Sequence, residues 1–194
     1  MGKKVLITGA TGMIGNLVLG HCLESDQVSE VISLVRRPSG KSHEKLHEVI
    51  IEDFSIVDVT ADYLKSIDIV YYCLGVYTGA VDRDKFREIT IEYPDILANA
   101  LLKNSPELSF CLLSGAGADR SEKSRMMFAK DKGIIENRLS KKGFKEFHAF
   151  RPGYIYPVTP RSEPNFSYKL MRVLYPVIKL FGKNTSIKST ELAY

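Results

Sequence analysis

The residues best placed to do chemistry stand near the N-terminus, in Gly9-Ala10-Thr11-Gly12-Met13-Ile14-Gly15. They follow a short strand pattern, Lys3 to Thr8, and open a helical pattern over Thr11 to Leu23. In a strand–turn–helix context, glycines at this spacing have separate uses. Gly9 permits a tight turn, Gly12 lets the backbone approach a pyrophosphate, and Gly15 lets helix and strand pack closely. The phosphates then rest on backbone N–H groups that the start of a helix leaves unpaired, around Thr11, Gly12, Met13 and Ile14. A second selector is expected about 20 residues further on, where an NAD site carries an acid for the ribose 2′-hydroxyl. This chain has Val35-Arg36-Arg37 there and no acid. A guanidinium pairs with a 2′-phosphate through two parallel donors, so Arg36 and Arg37 favour NADP, with NAD the weaker candidate.

Other reactive-looking groups carry less. His43-Glu44-Lys45-Leu46-His47 spells the zinc-protease pattern H-E-x-x-H. That chemistry needs a stable helix, a third ligand and an open position on the metal. The stretch follows Pro38-Ser39-Gly40 and runs straight into a strand at Val49, so no metal site is expected. Ser114 could be read as a hydrolase nucleophile, but Leu112 occupies the first glycine position of G-x-S-x-G and no histidine can be placed beside it. His21 and His148 sit alone in apolar stretches and read as structural. Cys22, Cys73 and Cys111 form an odd set without C-x-x-C spacing, which argues against a disulfide framework and for buried reduced thiols.

These residues need elements to position them. Near-continuous apolar runs at Lys3 to Thr8, Val31 to Val35, Val49 to Ile51, Ile67 to Leu74, Leu108 to Leu113 and Phe147 to Phe150 read as strands. Helical periodicity over Thr11 to Leu23, Lys85 to Lys103 and Arg125 to Lys141 alternates with them, and Pro94 predicts a kink or a late start in the second. The alternation predicts an α/β Rossmann-type fold, a doubly wound parallel sheet with both faces covered. With 194 residues, the expectation is a single domain over 1–194, with 151–194 as a small C-terminal cap on the substrate side. The cap contains four prolines from Pro152 to Pro164 and an amphipathic stretch, Phe166 to Phe181, whose apolar side is expected to pack over the substrate pocket rather than lie on a membrane. Glu191-Leu192-Ala193-Tyr194 reads as the start of a helix, which leaves room for a longer native chain.

A net charge of +4 is too mild to argue for nucleic acid and suits a phosphate-bearing ligand. No apolar run reaches the ~18 residues of a membrane span. Val5-Leu6-Ile7 is too short for the apolar region of a signal peptide, so a cytoplasmic protein is expected.

The ordered set Gly9-Ala10-Thr11-Gly12-Met13-Ile14-Gly15, Leu34-Val35-Arg36-Arg37, Asp53-Phe54, Cys73-Leu74-Gly75, Leu113-Ser114 with Gly117-Ala118-Asp119, Lys132-Gly133 and Arg151-Pro152-Gly153 resembles the atypical short-chain dehydrogenase/reductases. The likeness is greatest to the Tat-interacting-protein-like and NmrA-like NAD(P)-binding subgroup, and it covers nearly the whole chain. The resemblance implies roles. Asp53 and Phe54 border the adenine, and Leu74 and Gly75 line the adenosine ribose and the phosphates. Ser114 matches the catalytic serine, Lys132 the lysine that holds the nicotinamide ribose, and Pro152 and Gly153 flank the nicotinamide ring.

One departure matters. The family's catalytic tyrosine lies four residues before the lysine, and here that position is Phe128. A phenylalanine has no proton to exchange, and general acid–base catalysis contributes about 10²–10⁴-fold. Two explanations stand side by side. Tyr154, Tyr156 or a water on Ser114 replaces the phenol in an NADP-dependent oxidoreductase acting on a small carbonyl or alkene compound. Alternatively, the chain binds NADP without turnover and acts as a redox-sensing regulator with a protein partner.

Overall fold

The alternating apolar and helical stretches resolve, in a computed structural model, into one parallel sheet. The structure describes residues 2–159 and 185–194, together with Leu170, Arg172, Val173 and Tyr175. Six strands, β1 (Lys3–Thr8), β2 (Val28–Val35), β3 (Leu46–Ile50), β4 (Ile69–Tyr72), β5 (Ser109–Leu113) and β6 (Glu146–Phe150), lie in the order β3-β2-β1-β4-β5-β6. Every neighbouring pair is parallel. This is the doubly wound arrangement that the alternation predicts, and the chain belongs to the Rossmann-like α/β class. β2 begins at Val28 rather than Val31, and β4 stops at Tyr72 rather than Leu74.

The α-helices that lie wholly within the described residues are α1 (Met13–Glu24), α2 (Arg83–Arg87), α3 (Tyr93–Asn104), α4 (Met127–Ser140) and the short α5 (Ser189–Ala193). Side-chain alternation along β1 divides the core. Val5 and Ile7 pack on one face with Ile14, Val18 and Leu19 of α1. Leu6 packs on the other with Leu97 and Leu101 of α3 and Ile135 and Leu139 of α4. All ten of these side chains are buried. The expected break at Pro94 takes a specific form. The helical path from Arg83 to Asn104 is not interrupted; Glu88–Glu92 widens into a π-helical turn, and Pro94 falls at the start of α3. A widened turn just before a proline is one way a helical path carries on past its missing N–H.

α4 is held close to the loop after β5 by a glycine. A methyl group on Gly133 would stand 1.8 Å from the carbonyl oxygen of Asp119, and the Asp119 N–H donates to Ala129 O at 2.8 Å. Backbone cannot swing aside as a side chain can. Gly133→Ala is therefore expected to lower unfolding stability by about 3 kcal/mol, the upper end of ordinary overpacking costs. Denaturant titration measures it, and a loss below about 1 kcal/mol would show that the loop yields easily.

Past β6, Tyr154–Tyr156 (β7) pairs in parallel with Ser186–Lys188 (β8), which leads into α5. Leu192 and Ala193 of α5 pack on the α1 side of the core. The amphipathic stretch Phe166 to Phe181 lies, apart from four residues, outside the described residues. No helix among the described residues is long and apolar enough to cross a membrane.

Candidate functional site

The order of strands reverses between β1 and β4, so the connections leave the carboxyl ends of these neighbours in opposite directions and open a crevice there. The glycine turn occupies that crevice. Gly9 has φ +72°, and a methyl group on it would meet the Cys73 carbonyl and Leu74 N at 2.7 Å, so the turn and the end of β4 touch through backbone alone. Gly12 N donates to Gly9 O at 2.9 Å and closes the turn. Gly12 then caps α1 in extended conformation, with no side chain capping the helix and no acid in its first turn. The first N–H groups of α1 thus face the crevice with the positive end of the helix dipole behind them, an arrangement that suits an anion.

Two hollows flank this turn. The larger is an open cleft of about 670 Å³, bounded at its base by Thr11, Gly12, Met13 and Ile14. Leu74 and Gly75 form its near wall, Ser114, Phe128 and Lys132 its far wall, and Pro152, Gly153 and Ile155 its rim. The smaller, about 420 Å³, is lined by Gly9, Thr11, Leu34, Val35, Arg36, Arg37, Pro38, Phe54 and Leu74. Thr11 and Leu74 belong to both, so one elongated ligand can cross from one hollow to the other over the turn. Arg36 and Arg37 are exposed and form no ion pair among the described residues.

The far wall carries the reactive groups. Phe128, Lys132 and Glu136 recur at four-residue steps on one face of α4. The Phe128 ring tip sits over Gly115: a methyl group there would come within 2.6 Å of Cζ. Lys132 Nζ donates to Leu113 O at 3.2 Å. Burial pushes its pKa down to about 8, and the nearby Glu136 charge only partly opposes that. Glu136 is itself 1% exposed. Its carboxylate accepts from Ser114 Oγ at 2.5 Å and from Arg151 Nε at 3.0 and 3.1 Å, and Arg151 Nη2 also contacts it.

The lowered pKa of Lys132 makes a stability prediction. The folded chain binds this proton less readily than the unfolded chain, so the cost of the buried charge is complete below the folded value near 8. It disappears as pH rises through the unfolded value of about 10.4. Lys132→Met is expected to raise the thermal midpoint at pH 7, and the gain should vanish by about pH 10.4. A gain that persists unchanged at alkaline pH would mean that packing, not charge, is responsible.

The family model for the NAD dependent epimerase/dehydratase family matches residues 5–126, well over half of the chain. The chain belongs to this family. Membership places it among the atypical short-chain dehydrogenase/reductases. The rat protein HTATIP2 is 30% identical over 165 residues, 84% of this chain; the chain spans 66% of that relative's length, just under two thirds. Among solved structures, WbmH from Bordetella bronchiseptica in complex with NAD+ superposes with a TM-score of 0.71 at 19% identity, over 100% of this chain and 70% of that one. A UDP-N-acetylglucosamine 4-epimerase from Methanobrevibacter ruminantium gives 0.74 at 19% identity, over 99% and 71%. At such identities these likenesses bear on the fold alone.

The family match stops at residue 126, short of α4, so Phe128, Lys132 and Glu136 rest on this chain's own geometry. The structure gathers Thr11 to Ile14, Leu74, Gly75, Ser114, Lys132, Pro152 and Gly153 around one cleft. Gly9, Arg36, Arg37 and Phe54 line the smaller hollow. Gly15 lies behind the turn, where its absent side chain admits the Gly9 carbonyl. Asp53 is exposed and outside both linings; hydrogen bonds from Ser55 hold its carboxyl below the usual range. Tyr154 is also outside the cleft lining. Strand alternation along β7 turns Ile155 toward the cleft, and the Tyr154 and Tyr156 rings both meet Tyr175 instead. Among the described residues no group of three or more His, Cys, Asp or Glu is set to hold a metal, and His43 to His47 form a turn entering β3, not a helix. The three cysteines are free, with thiol pKa values pushed up by burial to about 11 for Cys22 and Cys111 and about 12 for Cys73. Sequence reasoning missed Glu136 and gave Arg151, noted within Arg151-Pro152-Gly153, no role of its own. The four-residue step from Lys132 to Glu136 is the signal that could have found the acid.

Proposed function

We propose that the chain is an NADP-dependent oxidoreductase of the atypical short-chain type, cytoplasmic, acting on a small carbonyl or alkene compound and its reduced partner. The carrying observation is that the uncapped, acid-free start of α1 lies between two hollows sharing Thr11 and Leu74, one of them edged by Arg36 and Arg37. A dinucleotide fits this cradle. Its 2′-phosphate pairs with Arg36 and Arg37, its diphosphate takes the N–H groups around Gly12, and Lys132 holds ribose hydroxyls. When bound, the nicotinamide supplies or accepts a hydride at the far wall. The chain's own residues do the rest: Pro152 and Gly153 bound the ring's place, and Ser114 holds the substrate oxygen. Asp53 and Phe54 stand on the adenine side, Phe54 in the lining and Asp53 beyond it.

The test of cofactor choice is the double variant Arg36→Glu, Arg37→Glu. Hydrogen bonds to a charged group are worth about 1.5–3 kcal/mol each, so NADP affinity should fall about 100-fold or more, with NAD affinity little changed. Equal loss for both cofactors would remove the 2′-phosphate argument.

Phe128 favours a second reading, an NADP-binding regulator with a protein partner and no turnover. It expects tight NADPH binding, no oxidation of NADPH with any carbonyl, and a partner whose affinity follows the cofactor's redox state. Co-purification that recovers no partner in either redox state counts against it.

A further inference from the structure

Ser114 is held in an unusual sense for a group meant to polarise a carbonyl. Its Oγ–H donates to Glu136 Oε1 at 2.5 Å, and Glu136 is 1% exposed. That carboxylate has little freedom to reverse the bond. Oε1 also receives Arg151 Nε at 3.0 Å, and Oε2 receives Nε at 3.1 Å and Nη2 as well. A guanidinium is a donor only. Both carboxylate oxygens therefore face donors. Glu136 is fixed in turn: it is on α4, one helical step from Lys132, while Arg151 leaves the end of β6. Ser114 N donates to Phe150 O at 2.8 Å, which fixes the serine backbone against the same strand.

A hydroxyl has one proton and two lone pairs. With its proton committed to Glu136, Ser114 offers the cleft lone pairs alone. A ligand carbonyl placed against it meets like polarity, and a ligand hydroxyl meets an acceptor. We infer that Glu136, a positioning residue paired to Arg151, fixes Ser114 as a hydrogen-bond acceptor, so that the ligand group seated at Ser114 is a hydroxyl rather than a carbonyl. This deepens the oxidoreductase reading and rests on it only for the naming of the couple: the form held at the far wall is the alcohol.

The full chain, saturated with NADP+, is titrated with cyclohexanol and cyclohexanone as matched probes, followed by ligand-observed NMR. A net hydrogen bond of about 0.5–1.5 kcal/mol corresponds to about 2–10-fold, and the alcohol should bind more tightly by that factor. Ser114→Ala leaves the Glu136–Arg151 pair in place and should bring the ratio to about one. Glu136→Gln supplies an amide donor to Oγ, frees the serine proton for the cleft, and should move the preference toward the ketone. Thermal unfolding of each variant shows that it is folded; if Glu136→Gln fails to fold, Ser114→Ala still decides. Equal or tighter binding of cyclohexanone by the parent chain, or no binding of either probe up to its solubility, overturns the inference. If NADP+ itself does not bind, the oxidoreductase reading fails on that result, and the alcohol–ketone comparison is then read on the chain without cofactor.

Discussion

Replacing Phe128 by tyrosine is expected to raise carbonyl-dependent oxidation of NADPH by about 10²–10⁴-fold, the usual contribution of a positioned general acid. Phe128 already lines the cleft beside Ser114 and Lys132, and its Cζ, the atom that would carry a phenol oxygen, stands against Gly115. Below its pKa of about 8, Lys132 is a cation on the same helix face. A neighbouring cation favours the phenolate and lowers a phenol's pKa, which is what a proton donor working near neutral pH needs. The increase should therefore be greatest below about pH 8 and shrink as Lys132 loses its proton. The assay is NADPH absorbance decay over a broad carbonyl panel, with thermal unfolding to show that the variant is folded. A folded Phe128→Tyr variant with no turnover of any carbonyl would end the enzyme reading and leave the regulator.

The second large effect lies at the glycine turn. An alanine at Gly15 places its methyl 2.2 Å from the Gly9 carbonyl oxygen and 2.7 Å from its carbon, both backbone atoms that cannot rotate away. The start of α1 must move out, which carries the N–H groups around Gly12 off their positions. A shift of about 1 Å costs about 100-fold where geometry is tight, and overpacking costs about 1–3 kcal/mol of stability. Dinucleotide affinity and unfolding stability should fall together. Gly20 on the same helix is the control, because nothing lies within 4 Å of a methyl there. Gly20→Ala should leave binding intact and stabilise α1 by up to about 1 kcal/mol. Loss of binding in Gly15→Ala without loss in Gly20→Ala places the effect at the turn rather than in helix propensity.

The strands were legible because both faces of the sheet are covered. Val5 to Ile7 in β1, Ile69 to Tyr72 in β4 and Phe110 to Leu113 in β5 read as unbroken apolar runs. The start of β2 was not, since Val28-Ser29-Glu30 mixes buried and exposed positions before the run becomes fully buried. Pro94 announced a disturbance but not its kind, because widening the preceding turn costs nothing visible in residue types. The glycine turn and the paired arginines were readable because local backbone demands select those residue types. Glu136 was not. A charged residue in a helical pattern reads as a solvated face, and its burial goes with Arg151, which comes from beyond α4 at the end of β6. Tyr154 looked attractive from its place after Pro152-Gly153, but one residue of register along β7 decides which side chain faces the cleft.

The measurement that bears most directly on the account is calorimetric titration of the chain with NADP and with NAD. The cradle around Gly12 and the pair Arg36–Arg37 predict a saturable exchange of heat with both, tighter for NADP by about 10-fold or more, one charge-assisted contact's worth. No heat with either dinucleotide at millimolar concentration would contradict the cradle itself, and tighter binding of NAD would contradict the reading of the two arginines.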